Sequence, residues 1–249
     1  MHQIIISVII AAYNEEKSIC LSLLNIENYL CNNKFEYEII VVDDGSRDGT
    51  SKVASALAPF INNLKIIRYP VNKGKGYALR QGVCASQGQL VLLTDADLST
   101  PIEELGKLLT SIGENKCKIA IGSRTLSGSK IIQKQPWFRQ QIGRVFNKIT
   151  KYLVLNDFSD TQCGFKLFSG RIARELFKNA QINRFAFDVE ILALAKTNGY
   201  KISEVPVIWK NSIDSKVNPL FDSFQMLKDL FKIKKLLGDI RREFISQNQ

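Results

Sequence analysis

The chain has 249 residues, of which 45% are hydrophobic and 23% are charged, so it can form one large soluble domain with an ordinary core. Its longest apolar stretch, residues 4–12, is about half the length of a membrane-spanning helix and follows no basic segment, so we predict neither a spanning helix nor a targeting signal. The five scattered cysteines disfavour a disulfide framework or a zinc site, and the single histidine, His2, disfavours histidine-dependent hydrolases.

The formal net charge of +10 is concentrated in the second half of the chain. Residues 1–123 contain 12 basic and 13 acidic side chains, whereas residues 124–249 contain 22 basic and 11 acidic ones. Such an excess implies an anionic partner, which could be nucleic acid, acidic lipid or a phosphorylated substrate.

Apolar runs alternate with helical patterns through the first half of the chain. Strands are predicted at residues 4–11, 37–42, 64–69, 89–94 and 118–122, and helices at residues 15–31, 50–62, 76–87 and 101–115. This alternation predicts an α/β fold with a mainly parallel central sheet and helices on both faces. Ligands of such sheets bind beyond the carboxyl ends of the strands, so the loops that follow the strands are the first candidates for a site.

Two carboxylates, Asp95 and Asp97, follow the fourth predicted strand directly. In extended backbone, residues two apart point to the same side, so both carboxylates can face one divalent cation. Mg²⁺ or Mn²⁺ fits, because these ions take only one or two protein carboxylates and complete their shell with water and phosphate oxygens. Thr100 and Glu103 also predict a capping box at the start of the next helix.

The loops after two other strands carry further polar chemistry. The loop at residues 43–50 contains three aspartates, among them Asp44, which can accept hydrogen bonds from a base or a ribose hydroxyl. The loop at residues 71–78 places two lysines, one of them Lys75, among glycines at a predicted helix N-terminus, which favours a phosphate. No Gly-x-Gly-x-x-Gly or P-loop motif is present, so we expect a nucleotide held by acids and by a metal on its diphosphate.

Four segments resemble the donor-binding motifs of family 2 glycosyltransferases: SVIIAAYNEE, IIVVDDGSRDGT, NKGKGYALRQG and LLTDADLSTP. Farther along, four more are similar to the dolichyl-phosphate β-glucosyltransferase branch, a relative of the dolichyl-phosphate mannose synthases: GSR, DTQCGFKLF, FAFDVEIL and SKVNPL. The resemblance runs from about residue 4 to residue 235. It implies the GT-A fold, a Rossmann-like fold that binds nucleotide sugars.

The resemblance also implies roles for residues that would bind the donor. The residues around the nucleotide sugar would be Ala12, Tyr13, Glu15, Asp44, Lys75 and Asp95. Asp95 and Asp97 would hold Mg²⁺ or Mn²⁺ against the donor diphosphate. Ser99 stands where mannose synthases have a glutamine that also reaches the metal, which disfavours a mannosyl donor.

Three further residues are expected to be catalytic by the same resemblance. Asp188 lies in a predicted helix at residues 185–199 and would act as a base or orient a neighbouring group, whereas Arg124 and Lys216 would absorb charge on the leaving diphosphate. An acceptor phosphate has a second pKa of about 6 and needs no base near neutral pH, whereas a saccharide hydroxyl would need one.

The basic half of the chain contains two amphipathic segments. In residues 126–162, apolar residues recur at helical spacing, which predicts either an ordinary helix with a solvated basic face or an acceptor helix at a membrane surface. In the second case Arg139 and Arg144 would bind the lipid phosphate. Residues 221–249 predict a basic C-terminal helix that either packs on the sheet or binds an anionic membrane.

We therefore expect an inverting glycosyltransferase that moves a hexose, by resemblance glucose from UDP-glucose, onto dolichyl or polyprenyl phosphate. The expected organisation is a single GT-A domain at residues 1–220, followed by the helix at 221–249. Within the domain, residues 1–123 would form the nucleotide-sugar-binding half and residues 124–220 the acceptor-binding half. Alternatives left open are GDP-mannose as the donor and a saccharide hydroxyl as the acceptor.

The expected partners are a nucleotide-sugar donor, a polyprenyl-phosphate lipid and an anionic membrane surface, with no nucleic acid. The expected location is cytoplasmic, peripheral at the cytosolic face of a membrane. An alternative of a different class is a basic module that binds nucleic acid or membranes without catalysis. Few aromatic residues lie among the basic ones in a pattern typical of RNA binding, which disfavours that alternative.

Overall fold

A seven-stranded sheet forms the centre of the computed structural model, which describes residues 5–133, 136–211 and 219–247. The strands of the described residues are β1 (Ile6–Ala12), β2 (Tyr37–Asp43), β3 (Leu64–Arg68), β4 (Leu90–Asp95), β5 (Ile119–Ser123), β6 (Lys130–Gln133), β7 (Lys166–Ser169), β8 (Ile202–Pro206) and β9 (Ile208–Lys210). The α-helices are α1 (Ile19–Asn32), α2 (Thr50–Leu57), α3 (Lys75–Ala85), α4 (Leu105–Glu114), α5 (Trp137–Leu153), α6 (Gly170–Asn179), α7 (Phe187–Thr197) and α8 (Pro219–Gln247).

The central sheet has the strand order β3-β2-β1-β4-β7-β5-β8, and β6 pairs with β9 in a separate two-stranded sheet. All pairs of the central sheet are parallel except those that β7 makes with β4 and β5. Helices cover both faces, because Ile9 packs with α3 whereas its neighbours Val8 and Ile10 pack with α1. The predicted α/β fold with a mainly parallel sheet is confirmed.

Strand β7 decides which loops meet at the carboxyl ends of β4 and β5. It runs antiparallel to both, and its first residue, Lys166, lies opposite Leu93 and Ile121. The segment that precedes Lys166 therefore continues to the same edge of the sheet. We predicted neither β7 nor β8, because a four-residue strand that begins with a lysine and a five-residue strand with a serine and a glutamate inside it carry little apolar pattern.

The helix after β4 begins differently from our prediction. Pro101 has extended backbone angles and residues Ile102–Glu104 form a 3₁₀ turn before α4, with no side-chain cap. The hydroxyl of Thr100 is 3.8 Å from the sulfur of buried Cys163, so the predicted capping box is wrong. Burial of this segment under the sheet edge determines where Thr100 points, and the local helix signal does not.

The C-terminal helix α8 packs on the protein. It contacts α5 and α7, and its buried residues Met226, Leu230 and Ile233 belong to the same core cluster as α3 and α7. The predicted boundary at residue 220 remains a prediction, and so does the division at residue 123. The central sheet itself takes strands from both sides of residue 123.

Within the described ranges, the chain has no helix that combines the length and the apolar character needed to cross a bilayer.

Packing of α8 predicts that alanine substitutions at two neighbouring positions lower the stability of the protein by unequal amounts. Leu230 is 0% exposed and Phe231 is 62% exposed. We expect Leu230→Ala to lower the free energy of unfolding by about 2–5 kcal/mol through the cavity it leaves. Phe231→Ala, the matched control, should change it by no more than about 0.5 kcal/mol. Urea unfolding followed by circular dichroism measures both, and equal small effects would contradict the packing of α8.

Candidate active site at the edge of the sheet

The loops that follow β1 and β2 are held together by hydrogen bonds. The backbone N–H of Asn14 donates to the Ser46 hydroxyl (3.0 Å), and the N–H of Arg47 donates to the Asn14 side chain (2.9 Å). Asn14 itself has a φ of 55°, so the chain turns sharply there and α1 starts only at Ile19, later than predicted. This frame positions Ala12, Tyr13 and Glu15, the predicted nucleoside-binding residues of the first loop.

Asp44 connects the second loop to the third. The residue is 3% exposed, and its carboxylate accepts hydrogen bonds from the backbone N–H groups of Lys73 (2.7 Å) and Gly74 (2.9 Å) and from the side chain of Asn72 (2.9 Å). At Gly45, which has a φ of 72°, an added Cβ would lie 2.6 Å from the Asn72 nitrogen. The loops therefore pack closely, and the hydrogen bonds of Asp44 hold them together.

Lys75, the first residue of α3, forms an ion pair with Asp95 at the end of β4. Its Nζ lies 2.5 Å from Asp95 Oδ1, and both side chains are 27% exposed. Burial opposes the charge of each group, but the pair prevails, so the pKa of Lys75 is raised and that of Asp95 is lowered. Asp188 and Asp97 also raise the pKa of Lys75, which shows that this lysine lies within the field of three carboxylates.

Asp97 does not continue the strand. Asp95 is the last residue of β4, and the N–H of Leu98 donates back to the Asp95 carbonyl (3.1 Å), with a φ of 47° at Leu98. Asp97 accepts the N–H of Ser99 (2.9 Å) within this turn. Our argument that strand alternation aligns the two carboxylates is therefore wrong, although both carboxylates raise the pKa of Lys75.

Gly164, just before β7, allows the Asp95 carboxylate to lie against the backbone. An added Cβ at Gly164 would be 2.3 Å from one Asp95 oxygen and 2.5 Å from the other. A side chain at position 164 would thus push Asp95 out of its place. The segment before β7 forms one wall of the site.

Arg124 follows β5 and binds Asp160 in a bidentate fashion. Arg124 Nε donates to Asp160 Oδ2 (2.6 Å) and Nη2 donates to Oδ1 (2.8 Å), and the guanidinium carbon lies 5.4 Å from the centre of the Trp209 ring. Burial alone would raise the pKa of Asp160, but the guanidinium lowers it to about 2. Glu204 holds Asp160 in turn, since it accepts the Asp160 N–H (2.7 Å).

Asp188 is paired with a residue that we did not single out, Lys166. The lysine Nζ lies 2.5 Å from Asp188 Oδ1 and also donates to the Cys163 carbonyl, and the two side chains are 1% and 7% exposed. Burial raises the pKa of Asp188 above its ordinary value, although Lys166 and Lys75 oppose the shift. The only sequence signal for Lys166 was a charged residue within an apolar segment.

Arg139 and Arg144 line a cavity of about 370 Å³ together with Arg124 and Asp160. The lining also includes Ile131 of β6 and Trp209 of β9. The cavity therefore combines three guanidinium groups with apolar side chains, which suits a phosphate attached to a hydrocarbon chain.

The structure thus brings Lys75, Asp95 and Arg124 to one edge, next to the loop of Asp44 and the first turn of α7, which carries Asp188. Lys216, predicted to be catalytic, lies outside the described residues. Among those residues, no group of three or more Asp, Glu, His or Cys side chains could hold a metal ion.

Comparison with known proteins agrees with this geometry. The sequence matches "Glycosyl transferase family 2" over residues 7–177. It is 36% identical to a dolichyl-phosphate beta-glucosyltransferase of Dictyostelium discoideum, over 93% of this chain and 74% of that protein. It is 35% identical to a protein of that name from Homo sapiens, over 96% and 78%.

Among solved structures, glucosyl-3-phosphoglycerate synthase of Mycobacterium tuberculosis, in complex with Mn²⁺, UDP-glucose and phosphoglyceric acid, has a similar fold. The TM-score is 0.69 at 20% identity, with 93% of this chain and 80% of that one covered. This likeness supports the GT-A fold of the chain.

The low pKa of Asp160 predicts how the stability of the folded protein changes in acid. A carboxyl whose pKa falls from 3.8 to about 2 on folding stabilises the folded state above the higher value, and this stabilisation is lost as the pH falls towards the lower one. We expect Asp160 to contribute about 2 kcal/mol to the stability that the wild type loses in acid, and the loss in Asp160→Asn to be smaller by that amount.

Urea unfolding between about pH 5 and pH 2 tests this difference, with Asp157→Asn as the control because Asp157 is 51% exposed. The control should keep the slope of the wild type. If Asp160→Asn also kept that slope, the ion pair with Arg124 would not control the titration of Asp160.

Proposed function

The chain belongs to glycosyl transferase family 2, and on this premise we propose that it transfers glucose from UDP-glucose to dolichyl or polyprenyl phosphate. The family makes it a glycosyltransferase. Similarity to the two dolichyl-phosphate beta-glucosyltransferases supports glucose as the sugar and a polyprenyl phosphate as the acceptor. The reaction inverts the anomeric carbon, because the acceptor oxygen attacks from the face opposite the nucleotide.

The observation that carries the proposal is the ion pair of Lys75 with Asp95, beside the loop that Asp44 holds. A nucleotide sugar has a polar base and ribose at one end and a diphosphate at the other. The loops after β1 and β2 offer polar groups for the first part, and Lys75 and Arg124 offer positive charge for the second. One elongated donor could contact both regions.

The residues of the proposed donor site are those expected from the sequence. The nucleoside would contact Ala12, Tyr13, Glu15 and Asp44, and the diphosphate would lie near Lys75, Asp95 and Arg124. Positive charge held there stabilises the negative charge that develops on the leaving nucleotide, so catalysis rests mainly on positioning and electrostatics. Lys216 remains a proposed contributor to this positive charge.

The residues present fit a divalent metal. Asp95 and Asp97 supply hard carboxylate oxygens, and Mg²⁺ and Mn²⁺ accept one or two of these when water and phosphate oxygens complete the shell. When bound, such an ion would neutralise charge on the donor diphosphate. Lys75 already contacts Asp95, so in the absence of donor this lysine competes with a cation for the carboxylate.

The acceptor phosphate would bind in the cavity lined by Arg139 and Arg144. Such a phosphate is mostly ionised near neutral pH and attacks without a base, so Asp188 would act by orienting Lys166 or the sugar. A lipid acceptor also requires contact with a membrane, and we propose a peripheral location at its cytosolic face.

A transfer assay tests the function directly. Purified protein would be incubated with Mn²⁺, a short polyprenyl phosphate and UDP-glucose, GDP-mannose or another nucleotide sugar in parallel. We expect glucose transfer from UDP-glucose. In Asp97→Asn, kcat/KM should fall about a hundredfold, because the enzyme loses charge stabilisation in the transition state.

The matched control is Asp239→Asn on α8, where the side chain is 45% exposed; this variant should keep the wild-type rate. Transfer only from GDP-mannose would make the donor assignment wrong. No transfer from any donor by folded protein would overturn the proposed function.

Competition between Lys75 and a metal ion for Asp95 gives a prediction about metal binding that does not depend on turnover. Lys75→Met removes the cation that contacts Asp95, so Mn²⁺ should bind about tenfold more tightly to the protein without nucleotide. Isothermal titration calorimetry or the electron paramagnetic resonance of free Mn²⁺ measures the dissociation constant. Lys73→Met is the control, because the Lys73 amine lies over the Tyr77 ring, 4.6 Å from its centre. Weaker binding by Lys75→Met than by the control would contradict a metal at Asp95.

A further inference from the structure

A set of large apolar side chains is exposed on β6 and on one side of α5. We call this surface the β6–α5 face; its members are Ile131, Ile132, Trp137, Phe138, Val145 and Tyr152. The exposed fractions reach 67% at Ile132, 75% at Trp137 and 89% at Tyr152. Single exposed apolar residues are ordinary, but a group of this size on one short segment indicates a surface that binds something.

The exposed residues of α5 form a continuous stripe. Phe138, Val145 and Tyr152 are seven residues apart and therefore lie on the same side of the helix, away from Phe146 and Thr150, which are buried. Phe138 and Val145 belong to the apolar residues at helical spacing that we noted in residues 126–162, and the structure leaves them exposed. The apolar positions of α5 are thus divided between the core and the surface.

Positive charge surrounds this stripe. Residues 124–156 contain seven Lys and Arg and no Asp or Glu. Lys148 is three residues from Val145 and four from Tyr152, so it borders the stripe, and Arg144 and Lys151 are also exposed on α5. Apolar and aromatic side chains bordered by cations, without acids, match the interface of an anionic bilayer, where aromatic rings sit at the headgroup level.

The C-terminal helix α8 is the rival surface, and its charges are less suitable. Its apolar residues Leu230 and Ile233 are buried in the core, and Lys232 is paired with Asp229 (2.8 Å). Arg242 is likewise paired with Asp239 (2.6 Å). Acidic partners reduce the attraction of these cations to anionic lipid.

We propose that the β6–α5 face binds the surface of an anionic phospholipid bilayer, with its apolar side chains in the interface and its cations at the headgroups. The choice of a bilayer as partner rests on the proposed function, because that function requires a lipid acceptor. The face adjoins the cavity of Arg139 and Arg144, which Ile131 also lines. Docking on this face would bring the mouth of the cavity to the level of lipid phosphates.

Vesicle flotation of the whole protein tests the proposal. The vesicles contain phosphatidylcholine alone or mixed with phosphatidylserine. The wild type should bind only the mixed vesicles, and high salt should weaken that binding. The double variant Ile132→Ser/Trp137→Ser should lower the partition coefficient about tenfold or more, since it removes two apolar anchors. The matched control, Phe224→Ser/Phe231→Ser, removes two exposed rings from α8 and should bind as the wild type does.

Loss of binding in the α8 variant with retention in the β6–α5 variant would overturn the proposal, and so would a wild type that binds neither vesicle. A wild type that dimerises through this face, shown by a β6–α5 variant that is monomeric on gel filtration, would overturn it as well. Circular dichroism verifies that both variants fold. Failure of the proposed function is recognised separately, because transfer to a short, water-soluble polyprenyl phosphate needs no vesicle and should survive in both variants.

Discussion

Pairing of opposite charges at one edge of the sheet is the constraint on which the rest of the site depends. Lys75 with Asp95, Arg124 with Asp160 and Lys166 with Asp188 place three cations and three carboxylates at the carboxyl ends of β4 and β5 and the start of β7. A buried charge that loses its partner costs several kcal/mol, so each partner fixes where the other points. The same arrangement holds positive and negative side chains in fixed positions, so the cations can contact a diphosphate and the carboxylates can contact a metal ion.

The antiparallel strand β7 makes this pairing possible. In an all-parallel sheet only the loops after strands reach the carboxyl edge, whereas β7 brings the segment before it to that edge. That segment contributes Asp160 and Gly164, and β7 itself contributes Lys166. The GT-A site therefore combines side chains from both halves of the sequence, and the change of strand direction is what joins them.

The basic half of the chain separates into two helices with different surroundings. Helix α8 buries Met226, Leu230 and Ile233 in the core, and two of its cations, Lys232 and Arg242, are paired with acidic neighbours three residues away. Helix α5 keeps an apolar stripe exposed in a segment without acids. Similar amphipathic patterns thus serve packing in one helix and leave a surface available for binding in the other.

The sequence by itself determined the α/β fold, the succession of the first five strands along the chain, the acids at the end of β4 and the glycosyltransferase family, because apolar periodicity and short motifs are local properties. Tertiary structure decided the partners of the charges. Lys166 pairs with Asp188 across 22 residues and Arg124 with Asp160 across 36, and Asp97 leaves the strand in a turn. Neither periodicity nor motif spacing specifies contacts between such distant residues, since strand order and the burial of each side chain are set only when the whole sheet assembles.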